Sequence, residues 1–449
     1  MVKIAKEAGQ KCTLNKPLYC PKNGEHLSLQ CFLTIILILS FSIGPVFSVY
    51  FGNKQLPVTL FEFMILINIM YSFSPILKVK KYKQNLKILN LTKLYFIFIT
   101  FNSFSIINAY EPWGALANLL YRAECLLILF SVPFNIKDNK NFNYGFLAFS
   151  SLGAILGIIT YVKLPPNITE AILLRKIDIG WIRSNTLASL LLITLPYSLI
   201  IMISERHSLI ARIIMGIVSA VTTMTIIITG SRSASLGIII EFAFFLYYFL
   251  YIKRRKFKLN LITLFIFFVV IFILYIKFPV WEIIGWRFSS ENIISRDLNT
   301  RIMIQEASYK LFTKHPLIGN GIASTGGIEY IRSGEVFQAH NYLLQTLAEN
   351  GILGLISFLM FILYLTYILY QDLTKNKYNP NIYQYTFATL VMLIALLVQG
   401  LFENTFGTRW FDYLFYLAIS IYISHYNFNK EVQSSPKTGH GDKVQNGLP

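Results

Sequence analysis

Apolar runs of membrane length recur along almost the whole chain, and they leave few folds open. A helix that crosses a bilayer needs about 20 mostly apolar residues, because its backbone polar groups must be satisfied within the segment. Candidate spans lie at 28–49, 56–77, 92–109, 113–134, 144–163, 185–203, 210–229, 233–252, 259–278, 351–370, 384–402 and 410–426. The pattern predicts an all-α polytopic membrane protein with twelve transmembrane helices. Residues 1–27 precede the first run, which lacks a small-residue cleavage site, so it reads as a retained span rather than a signal peptide. Composition agrees, with 55% hydrophobic and 14% charged residues and a mean hydropathy of +0.54. Soluble domains carry about 25% charged residues. An ordinary soluble enzyme and a disordered chain are both excluded.

The 449 residues carry a formal net charge of +18, and its meaning depends on where the basic residues sit. Lys3, Lys6, Lys11, Lys16 and Lys22 precede span one. Lys78, Lys80, Lys81, Lys83 and Lys87 follow span two, and Lys253 to Lys258 follow span eight. These clusters fall on one side if the number of spans is even and both termini are cytoplasmic, as the positive-inside rule requires. The excess charge is therefore topological, and no motif supports nucleic-acid binding. Residues 1–27 and 427–449 read as cytoplasmic tails, the second one disordered. Spans one to nine occupy 28–278, and spans ten to twelve occupy 351–426.

The stretch 279–350 departs from this pattern. It holds no membrane-length run and falls on the outer face, and loops of this length are usually functional. Residues 300–314 place Ile302, Ile304, Ala307, Leu311 and Phe312 at roughly helical spacing, which predicts an amphipathic helix. Pro316, Gly319 and Gly321 then break it, and a second helical pattern runs from near His340 into span ten at Gly351. A second outer loop covers 164–184. No internal repeat is visible.

Several polar residues can carry chemistry. Arg232 sits in the turn Thr229-Gly230-Ser231-Arg232-Ser233-Ala234, between two spans. It either snorkels to headgroup phosphate or, with small neighbours and a helix N-terminus, forms an anion site. Arg301 opens the amphipathic helix, as a solvated cation or as a phosphate ligand, and Arg287, Arg296 and Arg332 share its loop. Guanidinium matches phosphate oxygens bidentately, so this loop suits a lipid-linked phosphate or diphosphate. His340, before Asn341, is a surface or capping residue, or else a base for a hydroxyl nucleophile, since imidazole titrates near neutral pH. Glu349 orients a partner or caps span ten. Glu62, Arg122, Glu124, Glu241 and Glu403 lie within or beside spans, where charge is functional by default. Arg122 and Glu124, two apart, do not share a helix face. Glu403 and Arg409 are placed to pair. Cys12, Cys20, His26 and Cys31 fit no standard zinc spacing, so no metal is expected. The absence of a Walker motif argues against an ATP-driven pump.

Three stretches together resemble the O-antigen ligase and polymerase family of bacterial membrane glycosyltransferases. They are Thr229 to Ala234, Arg301 to Gly321 with its ending His-Pro-Leu-Ile-Gly-Asn-Gly, and His340-Asn341 leading to Glu349-Asn350-Gly351 and Gly354. Upstream, Gly180 to Ala188 is similar to the family's entry into the preceding span. The resemblance covers about 180–370 and implies a GT-C-like bundle in the bacterial inner membrane, with 279–350 as a periplasmic catalytic loop. It implies a glycan donor on undecaprenyl diphosphate, an acceptor that is lipid A-core or a lipid-linked repeat unit, and no cofactor or metal. It assigns Arg232 and Arg301 to the diphosphate and His340 to the acceptor hydroxyl. Asn341, Glu349, Arg183 and Arg122 are further candidates for substrate contacts. A ligase transferring to lipid A-core is the expected activity, with a polymerase of the same family as the alternative. A flippase or other transporter is the reading from a different class, and it would more naturally show repeated halves.

Overall fold

The computed structural model describes residues 28–51, 54–76, 86–136, 138–164, 179, 182–252, 258–278, 291–322, 339–375 and 380–427. Every apolar run named above contains or becomes a helix. In chain order the helices are α1 (Leu29–Ser40), α2 (Leu60–Ile76), α3 (Leu86–Ser105), α4 (Pro112–Asn135) and α5 (Asn139–Lys163). They continue as α6 (Ser184–Ile203), α7 (Leu209–Ile228), α8 (Arg232–Tyr247) and α9 (Lys258–Lys277). The last four are α10 (Glu291–Lys314), α11 (Tyr342–Lys375), α12 (Pro380–Gly400) and α13 (Arg409–Ile423).

The expectation of a multi-span helical protein is met, and the count of twelve is met in part. Among the described residues, eight helices are long and apolar enough to cross a membrane, and α1, α2 and α9 contribute shorter apolar segments. Helix α13, at 15 residues, is also short. The expectation of an all-α chain fails at 45–59. Span one ends early at Ser40, and Pro45–Phe51 (β1) pairs antiparallel with Lys54–Thr59 (β2). The reason is local. Gly44-Pro45 cannot continue a helix, and the Val, Phe and Tyr residues that follow favour extended backbone.

Helix α6 is the centre of the bundle, with 94% of its apolar window buried. It packs on α5, α7, α8, α12 and α13. Helix α9 lies at the periphery and exposes Phe265, Phe268, Phe272 and Ile276, as a lipid-facing helix would. Two hydrogen bonds fix the direction of α12 against α6. Gln399 Nε2 donates to Ser189 Oγ (2.9 Å) near one end, and Ser204 Oγ donates to Gln384 Oε1 (2.8 Å) near the other. The starts of α6 and α8 and the end of α12 therefore share one end of the bundle.

The opposite end carries a buried polar knot. Asp372 on α11 accepts from Lys87 Nζ (3.2 Å), from Tyr422 Oη (2.6 Å) and from Tyr426 Oη. His425 Nε2 stands 3.2 Å from the same carboxylate. The knot ties α3, the end of α13 and the turn that follows it to α11. Replacing Asp372 by Asn leaves one of these donors facing an amide NH₂. Thermal unfolding in detergent is expected to show a loss of about 1–3 kcal/mol.

Candidate functional site

Residues 315–321 and 348–353 build the platform on which the candidate site rests. The two segments lie backbone against backbone. Asn320 N donates to Ala348 O (3.2 Å), Gly321 N to Glu349 O (3.0 Å), and Ile352 N to Pro316 O (2.9 Å). The Asn320 amide bridges Leu311 O (2.8 Å) and Ala348 O (3.0 Å). From the far side, Asn108 Nδ2 donates to Gly319 O (3.0 Å). At Gly351 the backbone leaves helical geometry (φ 66°, ψ −170°), which kinks α11 and frees the groups that receive the turn. Helix α10, packed on α11 through Ile304, Ser308 and Leu311, is thereby held against it. This corrects the expected apolar face, since Ile302 is exposed.

At the head of α11, Asn341 Oδ1 accepts from Leu344 N (3.0 Å) as an N-cap, and Asn341 Nδ2 donates to Leu401 O (3.2 Å). His340, just before it, has φ 49° and is the one non-glycine residue with positive φ among the described residues. Such backbone costs about 1–3 kcal/mol and concentrates at functional sites. This conformation presents the imidazole to Glu403, with Nδ1 3.0 Å from Oε1.

Glu403 gathers the other polar groups. Asn185 Nδ2, near the start of α6, donates to its Oε2 (3.0 Å). Arg301 Nη2 lies 4.0 Å from the same oxygen, while Arg301 Nη1 donates to Phe402 O (2.9 Å). The carboxylate is 9% exposed, against 22% for the imidazole and 32% for the guanidinium. The shielded carboxylate thus supports two groups that reach solvent.

Arg232 lies at the same end of the bundle, at the first position of α8. Gly230, at φ 66°, turns the chain, and Ser231 Oγ caps the helix at Ala234 N (3.4 Å). Arg232 Nη2 is buried and has no hydrogen-bond partner among the described residues. An unsatisfied guanidinium donor beside a helix N-terminus is a ready anion site.

The remaining expected residues divide. Arg183 precedes α6 and is exposed, two residues from Asn185. Arg122 is 2% exposed and lies inside the bundle. Its Nη1 donates to Asn102 Oδ1 (2.7 Å), and the guanidinium faces the Phe98 ring. That buries it beside Gly407 of the turn after α12. Glu349 is buried, accepts from Gln345 Nε2 (3.0 Å), and belongs to the platform through its backbone. The expected pairing of Glu403 with Arg409 gives way to pairs with His340 and with Glu62, respectively. Glu241, fully buried in α8, has no hydrogen-bond partner among the described residues. Arg287, Arg332, Cys12, Cys20 and His26 lie outside the described residues, as does the side chain of Arg296. Asn185 was not singled out in the sequence. Its only signal there is the resemblance around Gly180 to Ala188.

The family model for O-antigen ligase matches residues 217–359. This segment belongs to the O-antigen ligase/polymerase family. None of the curated proteins matches the chain. The O-antigen ligase segment includes α8, α10, the platform and the head of α11. Glu403 and Asn185 lie outside it and complete the cluster from α6 and from the turn after α12.

Proposed function

We propose that this protein is an O-antigen ligase that transfers a glycan from undecaprenyl diphosphate to a hydroxyl of lipid A-core, at the periplasmic face of the bacterial inner membrane. The observation that carries this reading is the convergence of His340, its carboxylate partner Glu403 and Arg301 at the bundle end where Arg232 keeps a buried, unpartnered donor.

The chemistry is inverting and balances without a metal or cofactor. Nδ1–H of His340 donates to Glu403, which leaves Nε2 with the lone pair. Nε2 takes the proton from the acceptor hydroxyl as its oxygen attacks the anomeric carbon. The bond from that carbon to the diphosphate oxygen breaks, and undecaprenyl diphosphate leaves with the electron pair. Arg232 and Arg301 balance its charge, as positioned donors do in sites shielded from water. Glu403 also stabilises the imidazolium that forms. Arg183 is near enough in sequence to the Asn185 position to add a further phosphate contact.

Replacing Arg232, Arg301 or His340 by Ala, at unchanged membrane levels, is expected to remove long glycan from lipid A-core while long lipid-linked chains persist. A polymerase of the same family uses the same groups on a lipid-linked repeat unit, and the same variants would then leave core capped by a single unit. An unchanged surface glycan ladder in all three variants would sink the catalytic assignment.

A further inference from the structure

Glu403 stands on the turn 401–408 between α12 and α13, and its reach to His340 depends on how that turn is held. Two anchors come from the site itself: Asn341 Nδ2 donates to Leu401 O and Arg301 Nη1 to Phe402 O. Arg301 is assigned to the diphosphate, so its bond cannot fix the turn throughout transfer. Phe406 seats the middle of the turn against Tyr342 and Phe358, but such packing is not directional. Gly407 supplies the direction. Its carbonyl accepts from Tyr121 Oη (2.5 Å), and its N–H donates to Asp412 Oδ1 (3.0 Å). Its φ of 87° suits glycine, and Arg122 Nη2 stands 3.5 Å from where a Cβ there would lie. Tyr121, Arg122 and Asp412 are all buried. The charges of Arg122 and Asp412 attract each other, and a buried guanidinium needs such a counter-charge.

We propose that Tyr121, Arg122 and Asp412 are positioning residues for the transfer, clamping Gly407 so that Glu403, four residues back, stays within bonding distance of His340. The inference rests on the transfer reading above. It gives Arg122 a part in the chemistry without contact to substrate. Distance decides how much the clamp matters. Glu403 Oε1 is 3.0 Å from Nδ1, near the best N–H···O separation, and such a bond is gone by about 3.6 Å. A drift of about 0.6 Å therefore releases the imidazole. Misplacing a catalytic group by about 1 Å costs about 10²-fold in rate. The bonds to Gly407 are buried, so water does not readily replace one that is lost. Helices α4 and α13 pack on each other, so the clamp ties the turn to the bundle rather than to another loop.

The test is a double-mutant cycle on the full chain in proteoliposomes, with purified donor and acceptor and rates taken per folded protein. Tyr121→Phe keeps the ring and removes the bond to Gly407. Its rate at saturating substrates is expected to fall about tenfold, with KM for donor and acceptor unchanged. In the Glu403→Gln background the same change is expected to alter the rate less than about twofold, because the group it positions is already lost. Asp412→Asn keeps an acceptor for the Gly407 N–H and is expected to transfer faster than Asp412→Ala, although both lose the charge. Asp372→Asn, at the opposite end of the bundle, is the control for lowered stability and is expected to keep the wild-type rate. An equal loss from Tyr121→Phe in both backgrounds, or equal rates for the two Asp412 variants, overturns the clamp. Transfer by Glu403→Gln within about threefold of wild type overturns the transfer reading with it. An impaired Glu403→Gln protein beside a fully active Tyr121→Phe protein discards the clamp alone.

Discussion

Replacing Glu403 by Gln is expected to lower transfer by about 10²–10⁴-fold at unchanged protein level, because it puts the proton on the wrong nitrogen of His340. A carboxylate only accepts, so on the proposed mechanism wild-type Glu403 requires Nδ1–H and leaves Nε2 free as the base. An amide has one accepting and one donating end. Oε2 of Glu403 faces two donors, the Asn185 amide at 3.0 Å and Arg301 at 4.0 Å. In the Glu403→Gln variant the side-chain amide oxygen settles toward them, and the NH₂ then faces Nδ1. Nδ1 must accept, so the proton moves to Nε2 and the base is lost. Glu403→Asp keeps the acceptor chemistry at a shorter reach and should retain more activity than Glu403→Gln. The measurement is single-turnover transfer in proteoliposomes with purified donor and acceptor. Transfer by Glu403→Gln within about threefold of wild type would remove Glu403 from the mechanism, since general-base catalysis contributes far more than that.

Most of the helices were legible because burial in lipid and helical backbone bonding make the same demand of a run of residues. Arg232, Arg301 and His340 stand out as candidates in the sequence because each sits where charge or imidazole is awkward without a partner. Their partners were not. Glu403 reads as one end of a local pair with Arg409, six residues on, yet the fold turns it toward His340, 63 residues back. Nothing local encodes that choice. It follows from α12 running antiparallel to α6, which brings Asn185, Leu401 and the head of α11 to one end. Arg122 shows the converse. Its charge marked it as a substrate contact, but helix phase directs it inward to Asn102. The hairpin was hidden because β1 is as apolar as the span it interrupts, while Lys54 and Gln55 of β2 read as a loop between spans. Only Gly44-Pro45 and Pro57 signal it, and a hydropathy window averages over them.

Gly319 and Gly351 carry the largest expected effects on stability. Gly319 has φ 78°, and a Cβ there would overlap the Glu349 carbonyl. Gly351 has φ 66°, and a Cβ there would overlap the Leu317 carbonyl. Both obstacles are backbone, which cannot swing aside as a side chain can. Left-handed backbone costs an ordinary residue about 1–2 kcal/mol, and overpacking adds about 1–3 kcal/mol. Each Ala substitution is therefore expected to destabilise by about 2–5 kcal/mol, read as a lower unfolding temperature and reduced membrane levels. Gly145→Ala is the control. It lies in α5 with side chains of Ile421 and Ile136 at 3.4 and 3.5 Å, so the added methyl meets ordinary contact. That variant should unfold within about 1 kcal/mol of wild type, with helix propensity on its side. The loss should also reach the chemistry, because the platform joins α10, which bears Arg301, to α11, which His340 precedes. A Gly351→Ala protein that unfolds at the wild-type temperature would show that the kink and the turn are not held backbone to backbone.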